Sequence, residues 1–132
     1  MTFERINPPL LAAPRGFSHA VATDRPRTVY LAGQTAIDRS GAIVGDDIVT
    51  QFEQALLNLL LALRAAGGSG DDLATVTIYI VDMDGYLANR REIGKIWRRL
   101  VGTEYPAMAG IGVARLWDEA ALVEIQGVAV LE

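Results

Sequence analysis

An α+β fold, one six-stranded sheet with two helices packed on one face, is predicted by three features of this 132-residue chain. First, two stretches carry apolar residues at three- and four-residue spacing, the helical period. Second, six stretches rich in β-branched and aromatic residues surround them, in the order β-β-β-α-β-α-β-β. Third, both helical stretches have wide apolar faces, which places both helices against the same sheet face.

The elements follow in chain order. Residues 2–7 form a short edge strand, and Pro8, Pro9 and Pro14 make a stiff extended connector. Phe17 to Ala22 alternates Phe17, His19 and Val21 against smaller residues, a second strand. Thr28 to Gln34 is the third. Asp38-Arg39-Ser40-Gly41 signals a turn, after which Ala42 to Val44 folds back as a short partner strand. Asp46 or Asp47 caps the first helix, whose stripe is Phe52, Leu56, Leu59, Leu60 and Leu63; Leu57 and Leu61 widen it. Gly67-Gly68-Ser69-Gly70 ends it. Ala74 to Val81 alternates Val76, Ile78 and Ile80 with threonines and Tyr79, a half-buried strand. The second helix runs from about Tyr86 to Val101, with Tyr86, Ile93, Trp97 and Leu100 inside and its arginines in solvent. Ala107 to Arg115 and Ala121 to Leu131 are the last strands, joined by 116–120 as an antiparallel hairpin.

Composition narrows the function. A chain of this length suits one domain, 1–132. It has no cysteine, which excludes disulfides and thiolate chemistry and is compatible with a reducing cytosol; a cytoplasmic location is the expectation. One histidine, His19, rules out a multi-histidine metal centre, and no metal or cofactor is expected. A net charge of −4 without a basic stripe argues against nucleic acid as a partner. The longest apolar run, Ala55 to Ala66, is broken by Asn58 and Arg64 and is too short for a membrane span. Prolines and arginines interrupt the N-terminal segment, so it has no signal-peptide core. A hydrophobic fraction of 51% fits a chain with a further apolar face to bury in an oligomer.

Several motifs are better explained by structure than by chemistry. Gly67 to Gly70 follows a helix, whereas a phosphate loop precedes one. The pairs Asp46/Asp47, Asp71/Asp72 and Asp82/Asp84 stand at element boundaries, where aspartate caps and turns are expected. Arg90, Arg91, Lys95, Arg98 and Arg99 read as a solvated helix face. His19 has no serine or cysteine motif beside it and reads as a surface or hydrogen-bonded strand residue. Glu124 is different. Alternation puts it on one strand face with Leu122, Gln126 and Val128, where a carboxylate needs partners, solvent or a task.

A set of segments, taken in order, covers nearly the whole chain. They are Gly16-Phe17-Ser18-His19-Ala20-Val21, Leu31-Ala32-Gly33-Gln34-Thr35, Gln51 to Gly67, Ile78 to Tyr86, Tyr105-Pro106-Ala107-Met108 and Val123-Glu124-Ile125. The set resembles the Rid family of reactive-intermediate deaminases, also called YjgF-like. The resemblance implies a chorismate-mutase-like mixed sheet backed by two helices and assembled as a homotrimer with clefts between subunits. It implies hydrolysis of enamines and imines formed from amino acids. In such deaminases an arginine after Pro-Ala holds the substrate carboxylate, a last-strand glutamate positions or activates water, and a tyrosine, a serine, an asparagine and the backbone glycine of a Ser-Gly-Gln segment line the cleft. Here the glutamate is matched by Glu124 and the backbone glycine by Gly33, while the arginine position is Met108. The tyrosine and serine positions are Phe17 and Ala32, and the position two after the arginine is Gly110. The asparagine position falls on Asn89 by type and on Arg90 by the spacing of Tyr86, Ile93 and Trp97.

The departures share a direction, since Met108, Phe17 and Ala32 each remove a polar group. The expected protein is therefore a Rid-like trimer with apolar clefts. It acts on a small imine, enamine or related intermediate other than a 2-iminocarboxylate, with Glu124 as general acid/base. The alternative expectation is a trimer that keeps the fold and binds a ligand or partner without chemistry. A third, ribonuclease activity, is disfavoured by the acidic charge.

Overall fold

The computed structural model describes residues 1–132. The strands are β1 (Phe3–Ile6), β2 (Ala20–Thr23), β3 (Arg27–Gln34), β4 (Leu73–Ile80), β5 (Ala107–Gly112) and β6 (Val123–Leu131). The helices are α1 (Ile48–Ala65), α2 (Met83–Ala88) and α3 (Arg90–Leu100).

Local chemistry explains the boundaries. Asp47 caps α1, accepting from the Thr50 N–H at 2.8 Å and the Thr50 hydroxyl at 2.9 Å. At the other end Gly67 takes φ +91, which lets the Gly68 N–H reach back to the Leu63 carbonyl at 3.0 Å. The predicted second helix is two, because the backbone departs from helical geometry at Asn89 (φ −110, ψ 13). Asp38 folds its turn by accepting from Ser40 and Ala42, yet the expected strand at 42–44 reduces to one bridge, Ile37 to Ile43.

The sheet differs from the expectation in two respects. It has four strands in the order β3-β6-β4-β5, and β1 and β2 form a separate antiparallel ribbon. The stretch before β2 pairs with β5 through a single bridge, Ser18 to Ala107. Gly16, at φ +76, bends the chain just ahead of it, and the expected strand from Phe17 begins only at Ala20. Ser18 is held there by its N–H on the Pro106 carbonyl and its hydroxyl on the Tyr105 carbonyl. The ribbon is fixed to the main sheet by Arg25, which bonds Asp72 at 2.8 Å and stacks on Phe3.

The second correction concerns the last two strands, which do not form a hairpin. β5 runs parallel to β4 at the sheet edge, and β6 inserts between β3 and β4, antiparallel to both. Burial accounts for the choice. Val123, Ile125 and Ala129 are fully buried in the central strand, whereas Gly110 and Gly112 give β5 little to bury. The chain between them crosses over and is clamped by Gln51, a buried side chain of α1. Its amide donates to the Gly45 and Ala120 carbonyls, both at 3.0 Å, and its oxygen accepts from the Leu122 N–H at 2.8 Å.

One sheet face, with Val76, Ile78, Ile80, Val123 and Ile125, packs on the α1 stripe and on Ile93, Ile96 and Trp97 of α3. That both helices cover this one face agrees with the expectation. The other face, with Tyr30, Tyr79, Glu124 and Gln126, is left open by the chain's own elements. No helix is long and apolar enough to cross a membrane.

Candidate functional site

The sequence-derived residues separate into two groups on opposite sides of the sheet. Glu124 and Gly33 lie together on the face away from the helices. Strand β3 bulges between Leu31 and Gln34, and this turns Gly33 toward the Glu124 side chain. A Cβ at Gly33 would stand 2.8 Å from the Glu124 carboxyl carbon, so only glycine leaves room for the carboxylate as placed. Tyr79 is the cross-strand partner of Glu124, and its hydroxyl donates to Gln126 at 2.9 Å instead. Half-buried Glu124 takes no hydrogen bond or ion pair from its own chain, so both carboxylate oxygens are free to act on something else. Ala32 is exposed beside Gly33 and adds no polar group.

The second group lines two adjoining hollows on the helix side. The smaller, of about 300 Å³, is walled by Gly16, Phe17, Tyr86, Met108 and Gly110. The larger, of about 330 Å³, shares Tyr86 and Met108 and runs along α3 past Arg90, Gly94 and Arg98. Phe17, Met108 and Gly110 are thus together, as the sequence suggests. Their register explains why they are apart from Glu124: Met108 pairs with buried Val76 and Gly110 with buried Ile78, on the core face.

The structure separates the two candidates on the second helical stretch. The Asn89 side chain donates to the Gly85 carbonyl at 2.8 Å and lines neither hollow, whereas Arg90 lines the larger one. The larger hollow adds cations to the apolar lining that Phe17 and Met108 provide. Arg15, Arg90 and Arg98 all border the larger hollow, so Arg90 and Arg98 are more than a solvated face. Arg99 pairs with Glu53 and Lys95 with Glu92, which agrees with that reading for the rest of the helix.

Sequence reasoning missed Arg15, Arg98, Tyr86 and Tyr105 as site residues. A signal was present in Arg90, Gly94 and Arg98, which recur at four-residue spacing and so share one helix face. Burial pushes the Tyr86 hydroxyl up to about 12, which keeps it protonated as a donor at the hollow. His19 is hydrogen-bonded but precedes β2 rather than lying in a strand: its Nε2 meets the Ala12 carbonyl at 2.7 Å and its ring packs edge-on to Phe17.

Comparison with known proteins extends this geometry. Residues 9–131 match the family model described as Endoribonuclease L-PSP. A RutC family protein of Pyrococcus horikoshii is 34% identical over 79% of this chain and 79% of its own length. A mouse (Mus musculus) protein named 2-iminobutanoate/2-iminopropanoate deaminase is 33% identical over 86% of this chain and 80% of its own. Among solved structures, the Rid-family protein YyfB of Yersinia pestis, described as of unknown function, superposes with a TM-score of 0.89 at 36% identity. That match covers 99% of this chain and 100% of the Yersinia chain.

Proposed function

Since the chain belongs to the Rid family, we propose that it hydrolyses the C=N bond of a small imine, or of the imine tautomer of an enamine, with Glu124 activating the water. The observation that carries this reading is the Glu124–Gly33 pair. An unpaired carboxylate is seated over a glycine whose missing side chain leaves it room. Relatives named as imine deaminases support the reaction class.

The chemistry asked of Glu124 is general acid–base catalysis. The carboxylate takes one proton from water as the oxygen attacks the imine carbon and delivers it to the imine nitrogen, giving a neutral carbinolamine. It then takes the carbinolamine O–H proton and passes it to nitrogen as the C–N bond breaks, so that ammonia leaves with a carbonyl product. One water is consumed for each ammonia released.

Glu124 lies on one sheet face and Phe17, Met108 and Gly110 on the other, so a cleft containing both sets draws on two copies of the chain. We infer a homotrimer with a cleft at each interface. The open sheet face bearing Tyr30, which is 81% exposed, favours this arrangement. Small 2-iminocarboxylates are poor substrates in this reading, because Met108 offers no charge where an arginine would form a bidentate pair.

The test is ammonia release from 2-iminobutanoate and from neutral and aromatic imines, for the parent chain and Glu124→Gln. Loss of turnover in the variant, with an unchanged sedimentation profile, is expected. Equal turnover in the two proteins would reject the role of Glu124.

A further inference from the structure

We propose that Gln126 is a positioning residue: by accepting the Tyr79 hydroxyl proton it keeps that phenol off Glu124 and leaves the carboxylate free for water. The inference rests on the role given to Glu124 above and adds two residues that this role does not use.

Three observations support it. The first is register. Tyr79 on β4 is the cross-strand partner of Glu124 on β6, and Gln126 stands opposite Thr77, the next step along the same sheet face. On one face of an antiparallel pair, directly opposed Cβ atoms lie about 5 Å apart and diagonal neighbours about 7–8 Å, within reach of an aromatic side chain. The half-buried Tyr79 ring can therefore serve either neighbour.

The second is the destination of the proton. The Tyr79 hydroxyl donates to Gln126 Oε1 at 2.9 Å. A phenol has one proton to donate and an ionised carboxylate can only accept, so the bond to Gln126 excludes a bond to Glu124. Without the amide, the acceptor next to hand is the carboxylate directly opposite, and a charge-assisted bond is about twice as strong as a neutral one. Gln126 is also neutral, so it takes the proton without adding a second negative charge beside Glu124.

The third is the seat of the carboxylate. Gly33 belongs to β3, and β6 separates β3 from β4. The Glu124 carboxyl group fills the space that Gly33 leaves, so it lies toward β3 while the phenol is held along β4. Gly33 makes room on one side and Gln126 restrains the competing donor on the other. A carboxylate engaged by a phenol must give up that bond before it takes a proton from water, and stabilising its charged form makes it a weaker base.

The experiment compares the parent chain with Gln126→Leu, Tyr79→Phe, the double variant and Glu124→Gln, by ammonia release from neutral and aromatic imines and by crystallography. Gln126→Leu should lower kcat about ten- to hundredfold, the equivalent of breaking a hydrogen bond to a charged group, with KM within about twofold. Tyr79→Phe should stay within about threefold of the parent, and the double variant should recover to the same range. A merely structural role for Gln126 predicts no such rescue. The crystal structure of Gln126→Leu should show the Tyr79 hydroxyl on the Glu124 carboxylate, a result that does not depend on turnover. The proposal is overturned if that hydroxyl stays away from Glu124, or if the double variant is as slow as Gln126→Leu. It is overturned equally if Gln126→Leu matches the parent while Glu124→Gln is inactive. A Glu124→Gln variant as fast as the parent would remove the role of Glu124 itself, and this proposal with it.

Discussion

Replacing Gly33 with alanine tests whether the room beside Glu124 is functional. The backbone accepts the change, because Gly33 is not among the glycines held at positive φ. The new Cβ would lie 2.8 Å from the carboxyl carbon, 3.0 Å from Cγ and 3.1 Å from Oε1 of Glu124. Ordinary contact begins near 3.4 Å, so the carboxylate must retreat by roughly 0.6 Å or swing out of its rotamer. A half-buried side chain yields to this cheaply. An off-rotamer cost of about 0.5–1.5 kcal/mol is largely offset by the 0.5–1 kcal/mol that a strand gains when glycine becomes alanine. The midpoint of thermal unfolding should therefore move by no more than about 3 °C. Catalysis is less forgiving, because an ångström of misplacement costs about 10²-fold, or about 2.7 kcal/mol at the barrier. The expected result is a ten- to hundredfold fall in imine hydrolysis, read as ammonia release, in a protein that melts like its parent. Turnover within twofold of the parent would refute the reasoning.

Met108→Arg should raise kcat/KM for 2-iminobutanoate by about 10²- to 10⁴-fold, the equivalent of the 3–5 kcal/mol lost when a buried charge has no partner; an unchanged value would mean that no substrate carboxylate is read from β5. Gln51→Leu leaves the Leu122 N–H and the Gly45 and Ala120 carbonyls without their bonds and should cost about 2–4 kcal/mol by urea unfolding. The Thr50 N–H, bonded to Asp47, holds that carboxyl below its ordinary value of 3.8. Its contribution to stability is therefore complete above that value and is lost as pH falls through the lower folded value. The parent should accordingly melt above Asp47→Asn at pH 6, and the gap should narrow as the pH falls below 3.8 in pH-resolved calorimetry.

Periodic side chains made part of this fold readable. The α1 stripe, the alternation of β4 and the two faces of β6 depend only on neighbours within one element, so spacing reveals them. Pairing partners do not leave that trace. The apolar content of β6 favours a central place, but which strands it joins depends on the rest of the sheet, and the crossover that leads to it is held by the Gln51 clamp from far away in the chain. The break at Asn89 and the single bridge at Ser18 depend likewise on tertiary context. For the candidate site, Glu124 and Gly33 were found separately, and their contact follows from a bulge that alternation cannot show. Substitutions at Phe17, Ala32 and Met108 are readable one by one, whereas the arrival of Arg15 and Arg98 at the same hollow depends on how α3 and the segment before β2 pack.

The central place of β6 has a bearing on how the chain is made. The strand emitted last from the ribosome, of those that build the sheet, is the one that joins β3 to β4. Until 123–131 have emerged, a nascent chain has β3 on one side of a gap and the β4–β5 pair on the other, with the leucine face of α1 uncovered. Completion of the sheet thus waits for β6, and the exposed intermediate is the form that a chaperone would meet. The same strand carries Glu124, so the carboxylate takes its place over Gly33 only when the sheet has closed.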